Sequence, residues 1–356
     1  MLRHAQPMDE SEERAATLKR LRMLLDDVGS SKVTLIGDVM LDRFHHGYAN
    51  NLDSTAPVPV LKILQSEETP GAAAHIAMGL NSLGLQISLH SSVGDDREGR
   101  VIIEKLSEHG IDPSGIAVVP ERSTLTKIRF YGSRESLLDK SQILLQADRG
   151  PREPLPDSVR ESLTEQAMSS LEDSCAIVLS DYDKGVLDAI GARALIDAAR
   201  DAKLPVIMDP KLSGLDRSRG ADVVLFEKRG LDLLSRRQMT SDSADAAKNL
   251  IEEYGWGAML VLGGIYGVTL YQAGLEPMHI PCAAPAPVQQ IGLHDAAATA
   301  LATALGNDLS ITDAAALAAA ACECVLSAKA SHEFVNRTTL GLWLDELAWQ
   351  LRISDR

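Results

Sequence analysis

Ala176-Ile177-Val178-Leu179-Ser180-Asp181, an unbroken apolar run closed by a serine and an aspartate, sets the pattern from which the fold is read. Pro205-Val206-Ile207-Met208, Val223-Val224-Leu225-Phe226 and Met259-Leu260-Val261-Leu262 repeat it, with helical stretches between them. Short apolar runs without polar alternation are strands buried on both faces. Strands alternating with helices in this way make a parallel sheet covered by helices on both sides, so the fold class is α/β.

Working outward, residues 10–28 carry Leu18, Leu21, Leu24 and Leu25 at helical spacing and lead into the buried strand 33–36. Residues 43–48 and 58–63 partly alternate polar and apolar, which predicts strands exposed on one face in a small sheet standing off the main one. A small-residue helix over 71–83, a strand over 87–93 and a helix over 98–109 follow. Strands 124–131 and 142–147 are expected to rejoin the small sheet. Residues 149–156, with three prolines, read as a linker. Helices over 312–329 and 339–352 close the chain. The organisation expected is a helical extension over 1–30, a catalytic domain over 31–335 and a C-terminal helix over 336–356.

Ligands of open parallel sheets bind beyond the carboxyl ends of the strands. Acidic residues gather there: Asp38 and Asp42, Asp95 and Asp96, Asp181, Asp209 ahead of Pro210-Lys211, and Asp295. One aspartate after a strand is commonly a turn former; five such places along one edge point to a site. The turn Gln290-Ile291-Gly292-Leu293-His294-Asp295 runs into an alanine-rich helix, whose N-terminus would aim backbone N–H groups and its dipole at a phosphoryl group. Asp295 beside it is either the catalytic base or an ordinary helix cap. Gly263-Gly264-Ile265-Tyr266-Gly267 reads as a hairpin turn. The chain has neither a G-x-x-x-x-G-K-[ST] loop nor a G-x-G-x-x-G after the first strand, which sets aside P-loop and dinucleotide folds.

A chain of 356 residues, 45% hydrophobic, can bury a large core. Its net charge of −15 argues against nucleic acid or an anionic membrane as partner. Cys175, Cys282, Cys322 and Cys324 lack disulfide or zinc spacing and read as buried thiols in a reducing compartment. No apolar run reaches a membrane span, and the N-terminus lacks a signal-peptide core. A cytoplasmic protein is expected.

In order along the chain, Gly37-Asp38-Val39-Met40-Leu41-Asp42-Arg43-Phe44, Ala56-Pro57-Val58-Pro59-Val60, Pro70-Gly71-Ala72-Ala73-Ala74-His75, Thr126-Lys127-Ile128-Arg129 and Ser180-Asp181-Tyr182-Asp183-Lys184-Gly185 resemble the ribokinase-like (PfkB) sugar kinases. The branch most resembled phosphorylates heptose 7-phosphate at C1. The resemblance implies a three-layer α/β/α sandwich with a small β-sheet lid over the sugar, and ATP with Mg2+ as cofactors. It also implies Asp295 as general base and an anion hole from Gly292, Leu293 and His294. Asp38, Asp42, Gly71, Ala72 and His75 would bind sugar, and Asp209, Lys211, Glu227, Gly264 and Gly267 the nucleotide. An anionic acceptor needs cations, and Lys127, Arg129 and Lys184 are the candidates for its phosphate. Bifunctional members of this branch carry a nucleotidyltransferase domain with an H-x-G-H motif, absent here, so a stand-alone kinase is expected.

The departures lie mainly on the nucleotide side. The family's D-x-T-G-A-G-D is Gln289-Gln290-Ile291-Gly292-Leu293-His294-Asp295 here. Its N-x-x-E, whose glutamate organises Mg2+ through water, is Glu227-Lys228-Arg229-Gly230, leaving Glu227 as a substitute acid. The Thr before the Gly263 turn is Leu262, and G-G-x-x-x-N has become Gly71-Ala72 with His75. Side chains at turn positions that need φ > 0 would cost about 1 kcal/mol each, so His294→Gly is expected to raise activity. Two functions remain open: a working sugar-phosphate kinase, and an impaired pseudokinase serving as a sugar-phosphate-binding or regulatory subunit. Exposed apolar strands such as 58–63 predict a homodimer through the lid.

Overall fold

The computed structural model describes residues 10–29, 31–133, 141–240, 242–284, 291–328 and 333–354. Gln289 and Gln290 of the catalytic turn lie outside the described residues. Among those described, nine strands form the main sheet. In spatial order they are β13 (Met278–Ile280), β12 (Val268–Gln272), β11 (Ala258–Leu262), β10 (Val223–Glu227), β9 (Val206–Asp209), β8 (Ser174–Ser180), β1 (Lys32–Gly37), β4 (Gln86–Gly94) and β5 (Ile116–Val119). All neighbours from β11 to β5 pair parallel, and β12 and β13 add an antiparallel edge beyond the Gly263 turn. Strand β5 was not anticipated; its pattern is too short to register against the neighbouring loop.

The apolar runs are two-sided, as their composition implies. Val223 and Leu225 of β10 enter one core, while Val224 and Phe226 enter the other; Ala258 and Leu260 of β11 part in the same way from Met259 and Val261. The first core lies under α1 (Glu10–Asp26), α2 (Ala73–Leu83), α8 (Leu293–Leu305), α9 (Ile311–Ser327) and α10 (Arg337–Ser354). The second lies under α4 (Asp157–Ser169), α5 (Ala189–Asp201), α6 (Lys228–Gln238) and α7 (Ser243–Tyr254). Each fully buried Leu or Ile contributes about 1.5–3 kcal/mol, and both faces are lined with them. The result is the three-layer α/β/α sandwich.

A second, four-stranded sheet has the order β3 (Pro59–Ala72), β2 (Val39–Leu52), β6 (Thr126–Ser133), β7 (Gln142–Arg149). Only Asp38 separates β1 from β2, so one chain passes directly from the main sheet into the second. Parallel pairing sets Asp42 opposite Lys127 and Phe44 opposite Arg129. Strand β3 is buried at its C-terminal end and exposed along Pro59–Leu64, so the sheet roots at the main domain and projects from it. The helix expected over 71–83 begins at Ala73, because Gly71 and Ala72 still pair with Met40 and Val39. Added carbon on Gly71 would lie 2.2 Å from Asp42 Oδ2. Gly71 thus admits the Asp42 carboxylate and stands in β3 rather than at the start of the helix.

Candidate active site

Helix α8 starts under the sheet edge. Gly292 is its N-cap in the left-handed region (φ 88°), with no side-chain cap. Leu293 and His294 are absent from the positive-φ positions and stand in the helix itself. The premise that side chains at 293 and 294 strain the turn is therefore corrected: the one position needing glycine has it. Asp295 is the third helical residue and does not act as cap. It is 7% exposed; Oδ2 lies 3.1 Å from His75 Nδ1, and Oδ1 is buried with no hydrogen-bond partner among the described residues. A carboxylate oxygen left unsatisfied in a buried place costs free energy. At a helix N-terminus it is held ready for a proton-bearing ligand.

Asp295 lies at the floor of a cleft of about 630 Å³. On one wall stand Met40, Asp42, Ala72, Lys127 and Arg129 from the second sheet, with Tyr182. Arg129 Nη1 donates to Asp42 Oδ1 at 2.6 Å, and both residues are buried. Ala72 adopts φ 55°, ψ −129°, a conformation that costs a non-glycine residue about 1–3 kcal/mol. Burial pulls the Lys127 ammonium below its usual range, with Asp42 opposing. Tyr182, which sequence reasoning did not single out, lies beneath two ammonium groups, Lys211 Nζ at 4.0 Å and Lys127 Nζ at 5.6 Å from the ring centre. Burial, and then the field of Asp295, keeps its phenol protonated.

Three expected sugar or phosphate ligands stand elsewhere. Asp38 is outside the cleft lining: its carboxylate accepts the backbone N–H groups of Tyr182, Lys184 and Val186 and so shapes that loop. Burial, partly offset by those donors, raises its pKa to about 6. His75 stands behind Asp295, with its ring edge-on to Phe334. Lys184 is exposed, outside the cleft lining, and contributes its backbone to the loop.

The opposite wall carries Lys211, Glu227, Lys228, Arg229, Gly263, Gly264 and Tyr266. Here His294 Nδ1 meets Asp209 Oδ1 at 2.7 Å, and Nε2 lies 3.5 Å from Glu227 Oε1. Burial works against a charged ring, but Asp209 and then Glu227 outweigh it and raise the pKa to about 10. His294 is an imidazolium at neutral pH. Lys228 and Arg229, unforeseen, follow Glu227 at the start of α6, where β10 ends at the same sheet edge. Gly267 lies in an adjoining cavity, where its backbone approaches Ile280 too closely for a side chain.

Do these residues fit a divalent metal? The position of the family's metal-organising glutamate is Gly230. Glu227 faces His294, and Asp209 has one oxygen on the imidazolium and one buried and unpartnered. Among the described residues no group of three or more His, Cys, Asp or Glu could hold a metal ion. The donor set does not fit a metal held by the chain's own side chains alone.

The pfkB family carbohydrate kinase profile matches residues 30–336. The bifunctional protein HldE of Vibrio parahaemolyticus is 32% identical over 302 residues, covering 85% of this chain and 61% of that protein. HldE of Paramagnetospirillum magneticum is 34% identical over 297 residues, covering 83% and 59%. The chain thus spans about three fifths of these relatives' length. Escherichia coli phosphofructokinase-2 in complex with fructose-6-phosphate superposes with a TM-score of 0.69 at 17% identity, over 90% of this chain and all of that one. Arabidopsis thaliana ribokinase complexed with ribose and ATP gives 0.66 at 17%, over 89% and 99%. These two share the fold. With residues 30–336 matched, the chain belongs to the pfkB family of carbohydrate kinases.

Proposed function

We propose that this kinase transfers the terminal phosphoryl group of ATP to a hydroxyl of a sugar phosphate, the C1 hydroxyl of a heptose 7-phosphate. The observation that carries the reading is Asp295 Oδ1, buried and unpartnered at the N-terminus of α8 in the cleft. It takes the proton of the acceptor hydroxyl as that oxygen bonds to phosphorus and the bond to the ADP oxygen breaks. Such transfer is mostly positioning and charge stabilisation. The uncapped amides of the first turn of α8 face the transferred group. Asp42, fixed by Arg129, accepts from sugar hydroxyls; Lys127 meets the acceptor's phosphate; and Lys211, Arg229 and the Gly264 turn meet the nucleotide.

A cleft lined by five Lys and Arg side chains, in a chain of net charge −15, is built for anions. Heptose 7-phosphate as acceptor rests on the similarity to HldE. Mg2+ enters as the counter-ion that the nucleotide brings. The family and the setting of Asp295 favour a working kinase over a binding subunit. Among the described residues no helix is long and apolar enough to cross a membrane; ATP as donor favours the cytoplasm. Val60, Ile63, Leu64, Ile143, Leu144 and Leu145 are exposed on the second sheet, and a homodimer through that face would cover them.

The test is transfer from γ-labelled ATP to heptose 7-phosphate, the unphosphorylated heptose and fructose 6-phosphate, scored as label incorporated into the sugar, with acid lability marking the C1 phosphate of the heptose. Heptose 7-phosphate should exceed the unphosphorylated sugar in kcat/KM by at least about 10²-fold. Transfer to none of the three would end the proposal.

A further inference from the structure

The side chain of His294 occupies the place where two acidic strand ends meet. Asp209 closes β9 and Glu227 closes β10, and α8 delivers the ring between them. Without the ring, two carboxylates would face a phosphate chain and repel it. With the ring charged, the trio carries one negative charge rather than two, next to Lys211, Lys228 and Arg229. The two contacts are unequal. Asp209 is 2% exposed and makes a short hydrogen bond to Nδ1. Glu227 has a side chain 67% exposed and stands at 3.5 Å, so Nε2 lacks a hydrogen bond. A buried imidazolium N–H whose nearest acceptor is a mostly exposed carboxylate at 3.5 Å is open to a closer one.

We propose that His294 is a resident cation of the phosphoryl-transfer site, fixed at Nδ1 by Asp209, whose Nε2–H passes from Glu227 to a phosphate oxygen of the nucleotide, in place of a metal held by the chain's own carboxylates. The inference rests on the kinase reading and deepens it. Asp209 is then a positioning residue, and Glu227 is a replaceable neighbour rather than a metal-organising acid.

The experiment measures ATP affinity by calorimetry in EDTA and in Mg2+, together with turnover of heptose 7-phosphate, on the full chain. Wild type should bind ATP in EDTA. His294→Asn, which can still donate to Asp209 but has neither the charge nor a donor at the place of Nε2, should weaken metal-free ATP binding about tenfold, the worth of one charge-assisted hydrogen bond. It should also lower turnover by about 10²-fold. Glu227→Gln is an exposed change that leaves folding intact. It should tighten ATP binding in EDTA about two- to fivefold by removing a competing carboxylate. Equal ATP binding by wild type and His294→Asn, weaker binding by Glu227→Gln, or no binding by wild type without metal would overturn the inference. So would a gain of turnover in His294→Gly. A wild type that shows the expected ATP pattern but phosphorylates none of the sugars contradicts the sugar-phosphate acceptor and upholds the contact of His294 with the nucleotide.

Discussion

The two walls of the cleft settle their charges differently. On the wall from the second sheet, Asp42 and Arg129 are each 8% exposed and joined at 2.6 Å. On the other, His294 is held firmly by Asp209 but only at 3.5 Å by Glu227, whose carboxylate is mostly in solvent. The first wall is fixed when β2 pairs with β6. The second is adjustable, with a side chain able to move when an anion arrives. A buried pair is costly to break and contributes little net stability, whereas an exposed one is cheap to exchange.

Arg129→Ala should show the largest effect, because it leaves the Asp42 carboxylate buried and uncompensated: a loss of about 3–5 kcal/mol by denaturant titration. The corresponding change on the other wall, Glu227→Gln, should stay within about 1 kcal/mol; similar losses in both would dissolve the contrast. The pH dependence of stability comes next. The pKa of His294 is raised from 6.5 to about 10, so the folded state binds the proton more tightly. Its contribution is fully present below pH 6.5 and is lost as the pH climbs toward 10. Wild type should therefore lose more stability than His294→Asn between pH 7 and 10; parallel melting curves would show that the ring is neutral. The smallest effect belongs to Ala72→Gly. Relieving φ 55° at the root of the second sheet should stabilise the protein by about 1 kcal/mol, and a lower denaturation midpoint would refute the strain.

The sandwich was legible because its strands are buried on both faces, and runs such as 223–226 can hardly be read otherwise. The second sheet was legible from partial alternation, although its strands run farther than the pattern shows: β3 continues to Ala72, where Gly71 looks like the start of a turn. Asp295 could be placed from the glycine and helix around it. What the sequence hid were pairings across long separations. Asp42 and Arg129 are 87 residues apart, and His294 and Asp209 are 85 apart. Each was read as an open ligand or a defect because its partner was invisible. Asp38 was placed at the correct strand end but facing the sugar, since nothing in the motif reports the three amides that claim it.

The central claim is that Asp295 is the base of a kinase, and Asp295→Asn tests it most directly. The amide matches the carboxylate in size but cannot accept a proton, and general-base catalysis is worth about 10²–10⁴ in rate. Steady-state transfer to heptose 7-phosphate, measured beside acceptor affinity and thermal midpoint, should show kcat reduced by that factor with affinity and midpoint almost unchanged. A variant that turns over at the wild-type rate would contradict the account.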